Sequence, residues 1–209
     1  MDINSGLLVH LPFEGNGDDA SGNGRNFTAS GTPTYETGKL GQAARVTWTN
    51  NLHFGTPTWF SGRTAYTVAA WLYDTGFVAG SAAISWGTAS AGASTVIYPF
   101  DTDSGNGLRI FNKNVSAAVN INTGYPTVNA WNHVAMVVSA SVAKIYIDGR
   151  VRAIVPGNFS TDASLTDIMV GSYHNSNQTY TGLIDELKIY SRALRANDVR
   201  ALALSRRDA

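Results

Sequence analysis

Hydrophobic and polar residues alternate over many short stretches of this chain, as in β-strands with one buried face. The first such stretch runs over residues 7–14 and the last over residues 182–190. Residues 66–73 are apolar on both faces, with small alanines between larger side chains, so we expect this strand at the centre of a sheet. Turn-forming Gly, Asn, Asp and Ser residues separate the stretches. The pattern predicts an all-β protein.

Further strands are predicted at the spacing typical of β-sandwiches. They lie at residues 43–47, 51–55, 82–86, 94–100, 108–111, 115–121, 131–139, 142–147, 151–155 and 168–172. Asp148-Gly149 marks a tight hairpin turn. Helical periodicity occurs only near the end, at residues 196–204, where Asn197 is a candidate N-cap. We therefore expect antiparallel sheets followed by one short helix.

The composition agrees with this fold class and narrows the function. Twenty-one glycines, with three Glu and four Lys, favour strands and turns over helices. The formal net charge is zero, so the sequence shows no electrostatic signature of nucleic-acid binding. The chain has no Cys, which excludes disulfides and thiolate chemistry. A chain of 209 residues can form a single sandwich domain, and we expect one domain over residues 1–209.

The N-terminal residues lack the features of an export signal. Residues 1–6 contain no basic cluster, and the apolar run that follows is interrupted by His10 and Pro12. The sequence therefore predicts a chain made in the cytoplasm without a signal peptide, or an extracellular chain if a leader was removed. No stretch is apolar over the length that a membrane span requires.

A carboxylate interrupts an apolar row in the last strand. Strict alternation places Asp185 with Leu183, Leu187 and Ile189, while Glu186 faces the other side. An isolated buried carboxylate is unfavourable, so Asp185 needs hydrogen bonds, a cation or a metal ion as a partner.

Enzyme motifs are missing from the sequence. No Ser lies in a Gly-x-Ser-x-Gly elbow, and Gly38-Lys39 lacks the other residues of a phosphate-binding loop. Glycosidases need two carboxyl groups that flank one bond. Glu occurs only at positions 14, 36 and 186, and the adjacent Asp185 and Glu186 face opposite sides of a strand. We therefore expect no enzymatic activity, and glycoside hydrolysis is the least favoured function.

Several stretches together resemble the LamG-like jelly-roll domains of the concanavalin A-like lectin/glucanase superfamily. They are residues 11–16, 19–24, 66–71, 131–137, 144–149 and 182–194. These stretches occur in the family's order, although Arg195 stands where a helix-capping Ser is usual and residues 75–130 match only as generic strands. The resemblance implies a two-sheet antiparallel jelly-roll sandwich with the first and last strands side by side.

The resemblance also implies a structural calcium ion, which many relatives hold near the paired terminal strands. An antiparallel pair of first and last strands would bring the loop with Asp18 and Asp19 towards Asp185. Because Ca²⁺ takes about 6–8 oxygen ligands, the expected ligands are Asp19, Asn23 and Asp185, together with backbone carbonyls. The alternative is that Asp185 only accepts backbone N–H hydrogen bonds from the same loop.

Two loops combine aromatic rings, which stack on sugars, with polar groups that bind sugar hydroxyls. They are residues 58–63 and 173–178. The candidate ligand-binding residues are Trp59, Arg63, Tyr173, His174 and Asn175. The alternative is that the aromatic residues belong to the core.

Three functions remain open at this point. We favour a noncatalytic accessory or decoration protein on the surface of a larger assembly, such as a bacteriophage capsid or tail, that uses a lectin-like fold for attachment or weak glycan adhesion. Virion proteins need no export signal, which agrees with the N-terminus. The alternative is a stand-alone carbohydrate-binding module of an exported bacterial system, and the third is a hydrolase. The expected partners are proteins of the assembly and a glycan, with no nucleic acid or membrane.

Overall fold

The computed structural model describes residues 2–47, 49–75, 80–88, 94–101, 107–112, 117–121, 127–161, 163–173 and 180–205. The strands are β1 (Leu7–Leu11), β2 (Thr28–Ser30), β3 (Thr34–Thr37), β4 (Gln42–Val46), β5 (Asn51–Gly55), β6 (Ala65–Asp74), β7 (Ile84–Gly87), β8 (Ser94–Asp101), β9 (Gly107–Asn112), β10 (Ala117–Ile121), β11 (Trp131–Ser139), β12 (Val142–Ile147), β13 (Arg150–Pro156), β14 (Asp167–Val170) and β15 (Gly182–Tyr190). The helix is α1 (Ala196–Ala203). The sequence pattern does not predict β2 and β3, because these short strands are largely exposed and carry no apolar row.

The strands form two antiparallel sheets that stack as a sandwich, which confirms the predicted fold class. The eight-stranded sheet A has the order β13-β12-β11-β6-β15-β4-β3, and β1 also pairs with β15. The seven-stranded sheet B has the order β10-β9-β8-β7-β14-β5-β2. Strand β6 lies in the middle of sheet A and is buried on both faces, as its two apolar faces predicted.

The first and last strands pair antiparallel, which confirms the arrangement that the resemblance implied. Leu11 of β1 lies opposite Leu187 of β15, and His10 lies opposite Lys188. Strand β4 pairs with the start of β15, while β6 pairs with β15 along its other edge. The two ends of the chain are therefore joined within sheet A.

A β-bulge interrupts β15 at Glu186, whose φ of 52° lies in the left-handed region. Asp185 pairs with Trp71 of β6, and Lys188 pairs with Ala69. Two residues of β15 therefore face a single residue of β6, and the alternation of side chains changes phase at the bulge.

The bulge corrects the prediction for Asp185. Ile184 before the bulge and Leu187 after it both belong to the core between the sheets. Strict alternation, which grouped Asp185 with Leu187, is wrong at this point. Asp185 instead lies on the outer face of sheet A, next to its pairing partner Trp71.

Helix α1 covers part of this outer face. Val199 and Leu202 of the helix pack against Ala69, Ala135 and Tyr146 of sheet A. An isolated helix of this length is marginal in water, so packing of the apolar face holds it in place. Among the described residues, no helix is long and apolar enough to cross a membrane.

The N-terminus of α1 is capped by Arg195 and Asp198, and not by the predicted Asn197. The Arg195 backbone N–H donates to Asp198 Oδ2 at 3.2 Å, and the Arg195 guanidinium also donates to that carboxylate. Asp198 thus accepts the backbone N–H of the residue before the helix, as the acidic residue of a capping box does.

Candidate functional site

The loop at residues 58–63 connects β5 to β6 and is closed by Arg63. The Arg63 guanidinium donates from Nε and Nη2 to the Trp59 carbonyl oxygen, at 2.9 and 2.5 Å. The Arg63 backbone N–H donates to Thr161 Oγ1 at 2.7 Å. These bonds hold the loop in one conformation and place Trp59 and Arg63, both predicted ligand-binding residues, side by side.

Trp59 is half-buried and packs on the edge of the core. Its ring centroid lies 5.2 Å from that of Phe54, edge-on, and 5.8 Å from that of Phe60. The guanidinium carbon of Arg25 lies 4.7 Å from the Trp59 ring centroid, in a cation–π contact. One part of the indole therefore supports the fold, while the remainder stays accessible.

An open depression of about 430 Å³ adjoins Trp59 and Arg63. Its lining is mainly polar and includes four hydroxyl side chains, those of Thr58, Ser61, Thr64 and Ser191. The Ser61 and Ser191 hydroxyls already donate to the carbonyl oxygens of Pro57 and Gly6 and can accept from a ligand. The Thr58 and Thr64 hydroxyls can donate or accept, and the guanidinium only donates. The depression can therefore bind a small polar ligand, with the indole as an apolar wall.

Arg25 contacts the Trp59 ring but does not line the depression, and it was not predicted from the sequence. It lies just after the polar loop that follows β1, far from Trp59 in the sequence, and no local pattern indicates that the two residues meet. Burial, together with the nearby Arg25 charge, lowers the pKa of Arg63.

Tyr173 lies in a separate cluster on the outer face of sheet B. Its hydroxyl is 3.0 Å from Ser94 Oγ, and its ring packs against a cluster that includes Val96, Tyr98 and Phe111. The described contacts thus do not bring Tyr173 together with the Trp59 loop. The other two predicted residues of its loop, His174 and Asn175, lie outside the described residues.

Asp19 fastens the loop after β1 to the free edge of that strand. Its Oδ1 accepts the N–H groups of His10 and Ser21, both at 2.9 Å. Its Oδ2 accepts the Arg25 N–H at 3.0 Å and the Ser21 hydroxyl at 2.8 Å. Burial acts to raise the pKa of Asp19, but these hydrogen bonds outweigh it and lower the pKa below its ordinary value.

Asn23, on the other side of the loop, also forms hydrogen bonds with this edge of β1. Its Nδ2 donates to the carbonyl oxygens of Leu7 and Leu8, at 3.0 and 3.1 Å. Arg25 Nη1 also donates to the Leu8 oxygen, at 2.7 Å. Together with Asp19, these side chains satisfy backbone groups of β1 that β15 does not pair.

Asp185 is completely buried beneath the turn at residues 38–41. Its Oδ2 accepts the Leu40 N–H at 2.8 Å, while Oδ1 has no hydrogen-bond partner among the described residues. Burial raises the pKa of Asp185 to about 7, against the opposing effect of the Leu40 hydrogen bond. The alternative to calcium expected hydrogen bonds from the loop after β1, whereas this one comes from the turn between β3 and β4.

The three expected calcium ligands therefore have separate partners. The loop after β1 doubles back along that strand, so that Asp19 meets His10 instead of approaching Asp185. In the part of the chain that the structure describes, no group of three or more His, Cys, Asp or Glu side chains is placed to hold a metal ion. Because both oxygens of Asp19 already accept hydrogen bonds, the residues do not fit one shared site, and calcium binding stays a prediction.

Glu186 occupies a different environment from its neighbour Asp185. Its Oε2 lies 2.9 Å from His10 Nε2 and 2.5 Å from Lys188 Nζ. Burial acts to raise the pKa of Glu186, but the hydrogen bond from His10 and the charge of Lys188 outweigh it and lower the pKa to about 2. The two carboxyl groups have different partners and do not converge on one cleft, as a glycosidase pair would.

Comparison with known proteins identifies a matching family. The family model described as the concanavalin A-like lectin/glucanases superfamily matches residues 40–200. No curated protein sequence matches the chain.

Solved structures match the fold over nearly the whole chain. Domain 4 of AbnA, a GH43 extracellular arabinanase from Geobacillus stearothermophilus in complex with arabinotriose, matches with a TM-score of 0.80 and 23% identity, over 94% of this chain and 98% of that one. The binding domain of botulinum neurotoxin DC, in complex with rat synaptotagmin II, matches with a TM-score of 0.71 and 15% identity, over 97% and 52%. A Trypanosoma rangeli sialidase matches with a TM-score of 0.69 and 18% identity, over 96% and 33%. The chain thus spans about half of the toxin chain and a third of the sialidase chain.

Proposed function

We propose that this chain, which belongs to the concanavalin A-like lectin/glucanases superfamily, binds a glycan without cleaving it. The observation that carries the proposal is the depression beside Trp59, where hydroxyls and a guanidinium stand next to a partly accessible indole. Sugars have both apolar ring faces and many hydroxyls, so sites that bind them combine aromatic surface with hydrogen-bonding groups. The depression offers both.

The ligands of the structural neighbours agree with this proposal. The arabinanase domain is in complex with arabinotriose, and the binding domain of botulinum neurotoxin DC is also known in complex with SialylT. At these sequence identities the likeness supports a shared fold, and the ligand of this chain has to be found by experiment.

The absence of cleavage is proposed from the environments of the two acidic residues in β15. Glu186 is held by His10 and Lys188, and Asp185 is buried beneath the turn at residues 38–41. Neither carboxyl lines the depression beside Trp59. Incubation with bound glycans should therefore release no new reducing ends.

A glycan panel that includes arabinotriose tests the proposal, with titration calorimetry on every hit. Thr64→Trp should weaken binding at least about tenfold, because Thr64 is exposed and the larger side chain fills the depression without entering the core. Tyr173→Phe is the matched control on sheet B and should leave binding unchanged. Failure to bind any glycan, or equal binding by Thr64→Trp, would contradict the proposal.

A second candidate function is attachment to a larger assembly, such as a phage capsid or tail, which would place the protein on a particle surface. The observation that favours it is the outer edge of sheet A at β13, which pairs only with β12 among the described strands and where Val151 is 44% and Ile154 is 62% exposed. Apolar side chains on a free strand edge favour pairing with another chain.

Light scattering after size exclusion, with mass spectrometry of purified phage particles, tests the attachment. Ile154→Lys should abolish the association, because a charge on an edge strand opposes edge pairing. A wild-type protein that is monomeric and absent from every particle would contradict this second function and leave glycan binding in place.

A further inference from the structure

We infer that the depression beside Trp59 selects glycans that carry a negative charge, as a carboxylate or a sulfate, over neutral glycans. This inference rests on the proposed function and adds the chemical class of the ligand. It comes from two guanidinium groups at Trp59: that of Arg25 lies over the indole, and that of Arg63 contacts the Trp59 backbone carbonyl.

The Arg25 guanidinium lies over the face of Trp59, with its carbon 4.7 Å from the ring centroid. Its Nη1 donates to the Leu8 carbonyl oxygen at 2.7 Å. This single hydrogen bond fixes the position of the guanidinium, and the N–H groups on Nε and Nη2 remain for a ligand. The side chain is half-buried, so its charge is weakly screened by water.

Arg63 lines the depression, whereas Arg25 adjoins it through its contact with Trp59. Arg63 Nε and Nη2 donate to the Trp59 carbonyl oxygen, which leaves the N–H groups on Nη1 for a ligand. Burial and, to a smaller extent, the charge of Arg25 lower the pKa of Arg63. An anion between the two guanidinium groups would relieve this repulsion and would form charge-assisted hydrogen bonds to both.

No side chain of the described residues supplies an anion to these two groups. Within the described ranges, neither Arg25 nor Arg63 lies within ion-pair distance of a carboxylate, whereas Arg45 donates to both carboxylate oxygens of Glu36. Asp19 receives the backbone N–H of Arg25, but its oxygens accept two further N–H groups and a hydroxyl. A half-buried pair of arginines without an acidic partner is the arrangement that an anionic ligand completes.

The remaining groups of the depression can contact the sugar ring of a charged glycan. Thr58, Ser61, Thr64 and Ser191 present hydroxyls for sugar hydroxyls, and the edge of Trp59 presents an apolar surface for a ring face. The charged group of the ligand would then lie at the arginines, and its ring in the depression.

The test compares trigalacturonic acid with its methyl ester, because the ester is the same glycan with its carboxylates masked. A sulfated heparin tetrasaccharide distinguishes sulfate from carboxylate recognition. We expect the wild-type protein to bind one of the two acidic glycans at least about tenfold more tightly than the ester. The preference should weaken as the salt concentration rises.

Four variants locate the effect. Arg25→Gln and Arg63→Gln should each reduce the preference about fivefold or more, because each removes one charge-assisted donor. Arg63→Lys retains the charge and should keep part of the preference. Arg45→Gln is the matched control, since it removes one arginine charge at a site already paired with Glu36, and it should leave the preference unchanged. Thermal melting confirms that each variant is folded.

The outcomes separate the inference from the proposed function. Affinity for both acidic glycans that is no higher than for the ester, or equal losses in the Arg25, Arg63 and Arg45 variants, would overturn the inference while glycan binding stands. Binding of neither the acids nor any neutral glycan would overturn both. A preference that is lost in the Arg25 and Arg63 variants and kept in the Arg45 variant supports the inference.

Discussion

The pKa values of the adjacent residues Asp185 and Glu186 of β15 shift in opposite directions, because the bulge places the two carboxyl groups in different surroundings. Burial beneath the turn at residues 38–41 raises the pKa of Asp185 to about 7. Contacts with His10 and Lys188 lower the pKa of Glu186 to about 2 despite its burial. Two carboxyl groups that look alike in the sequence therefore affect the stability of the fold in opposite directions as the pH changes.

Asp185→Asn should stabilise the protein at alkaline pH. A carboxyl with a raised pKa in the folded state contributes stability at acidic pH, and this stability is lost as the pH rises through the folded-state pKa of about 7. The neutral amide removes this loss and can still accept the Leu40 N–H. We expect the free energy of unfolding at pH 8 to rise by about 1–3 kcal/mol, and the difference to vanish near pH 4. Urea denaturation across this range measures it, and a variant that is less stable at pH 8 would contradict the assigned burial.

Glu186→Gln provides the opposite case. A carboxyl with a lowered pKa contributes stability above its ordinary pKa, and this stability is lost as the pH falls through the folded-state value of about 2. The substitution leaves the largely buried Lys188 without its acidic partner. We expect a loss of about 1–3 kcal/mol at pH 7 that shrinks towards pH 2. If the difference in unfolding free energy between wild type and variant stays constant from pH 7 to pH 2, loss of the ion pair is not its cause.

The loop after β1 acts as an additional element of sheet A, although it forms no strand. Asp19 and Asn23 use their side chains to satisfy the backbone of β1 along the edge that β15 leaves free. A row of unpaired backbone groups at a sheet edge invites pairing with other chains, so this loop also protects the edge.

Asp19→Ala should destabilise the protein by about 2 kcal/mol, because it leaves the N–H groups of His10 and Arg25 without acceptors. Chemical denaturation measures the loss. Asp18→Ala, at the exposed neighbouring position, is the matched control and should change stability by less than about 0.5 kcal/mol. Equal effects of the two substitutions would contradict the role assigned to Asp19.

The calcium prediction and the hydrogen-bonded arrangement of Asp19 lead to different melting behaviour. An ion that binds only the folded state raises its stability by about 2.7 kcal/mol at a 100-fold excess over the dissociation constant. Hydrogen bonds alone predict no change between EGTA and added Ca²⁺. A shift that Asp185→Asn abolishes would support the calcium site, and a shift that this substitution leaves unchanged would exclude Asp185 as a ligand.

At the scale of the whole molecule, periodicity predicts the sandwich well because burial of one face or both imposes it directly. Strands β6, β11 and β12 lie almost where the pattern places them. The bulge at Glu186 is not predicted by periodicity, because its position depends on how β15 pairs with β6. The hydrogen-bond partner of Asp185 is determined by the same strand pairing, so the sequence does not predict it.

The candidate site was predictable only in part. The residue types of the loop at 58–63 identify Trp59 and Arg63, because aromatic and polar side chains together are typical of sugar-binding loops. Arg25 reaches Trp59 only after the loop after β1 has folded back along its strand. The local sequence does not show that Arg25 and Trp59 come into contact. A site formed by distant segments can therefore be identified only from the fold.

The pairing of β1 with β15 also sets the order in which the protein can fold. Strand β1 is synthesised before the other strands of this sandwich, yet its pairing partner β15 is the last of the described strands. Contacts between such distant segments carry a large loop-closure entropy and form slowly. The pairing of β1 in sheet A therefore cannot form on the ribosome until β15 has emerged. Until then, β1 lacks its pairing partner, and its exposed apolar face favours aggregation.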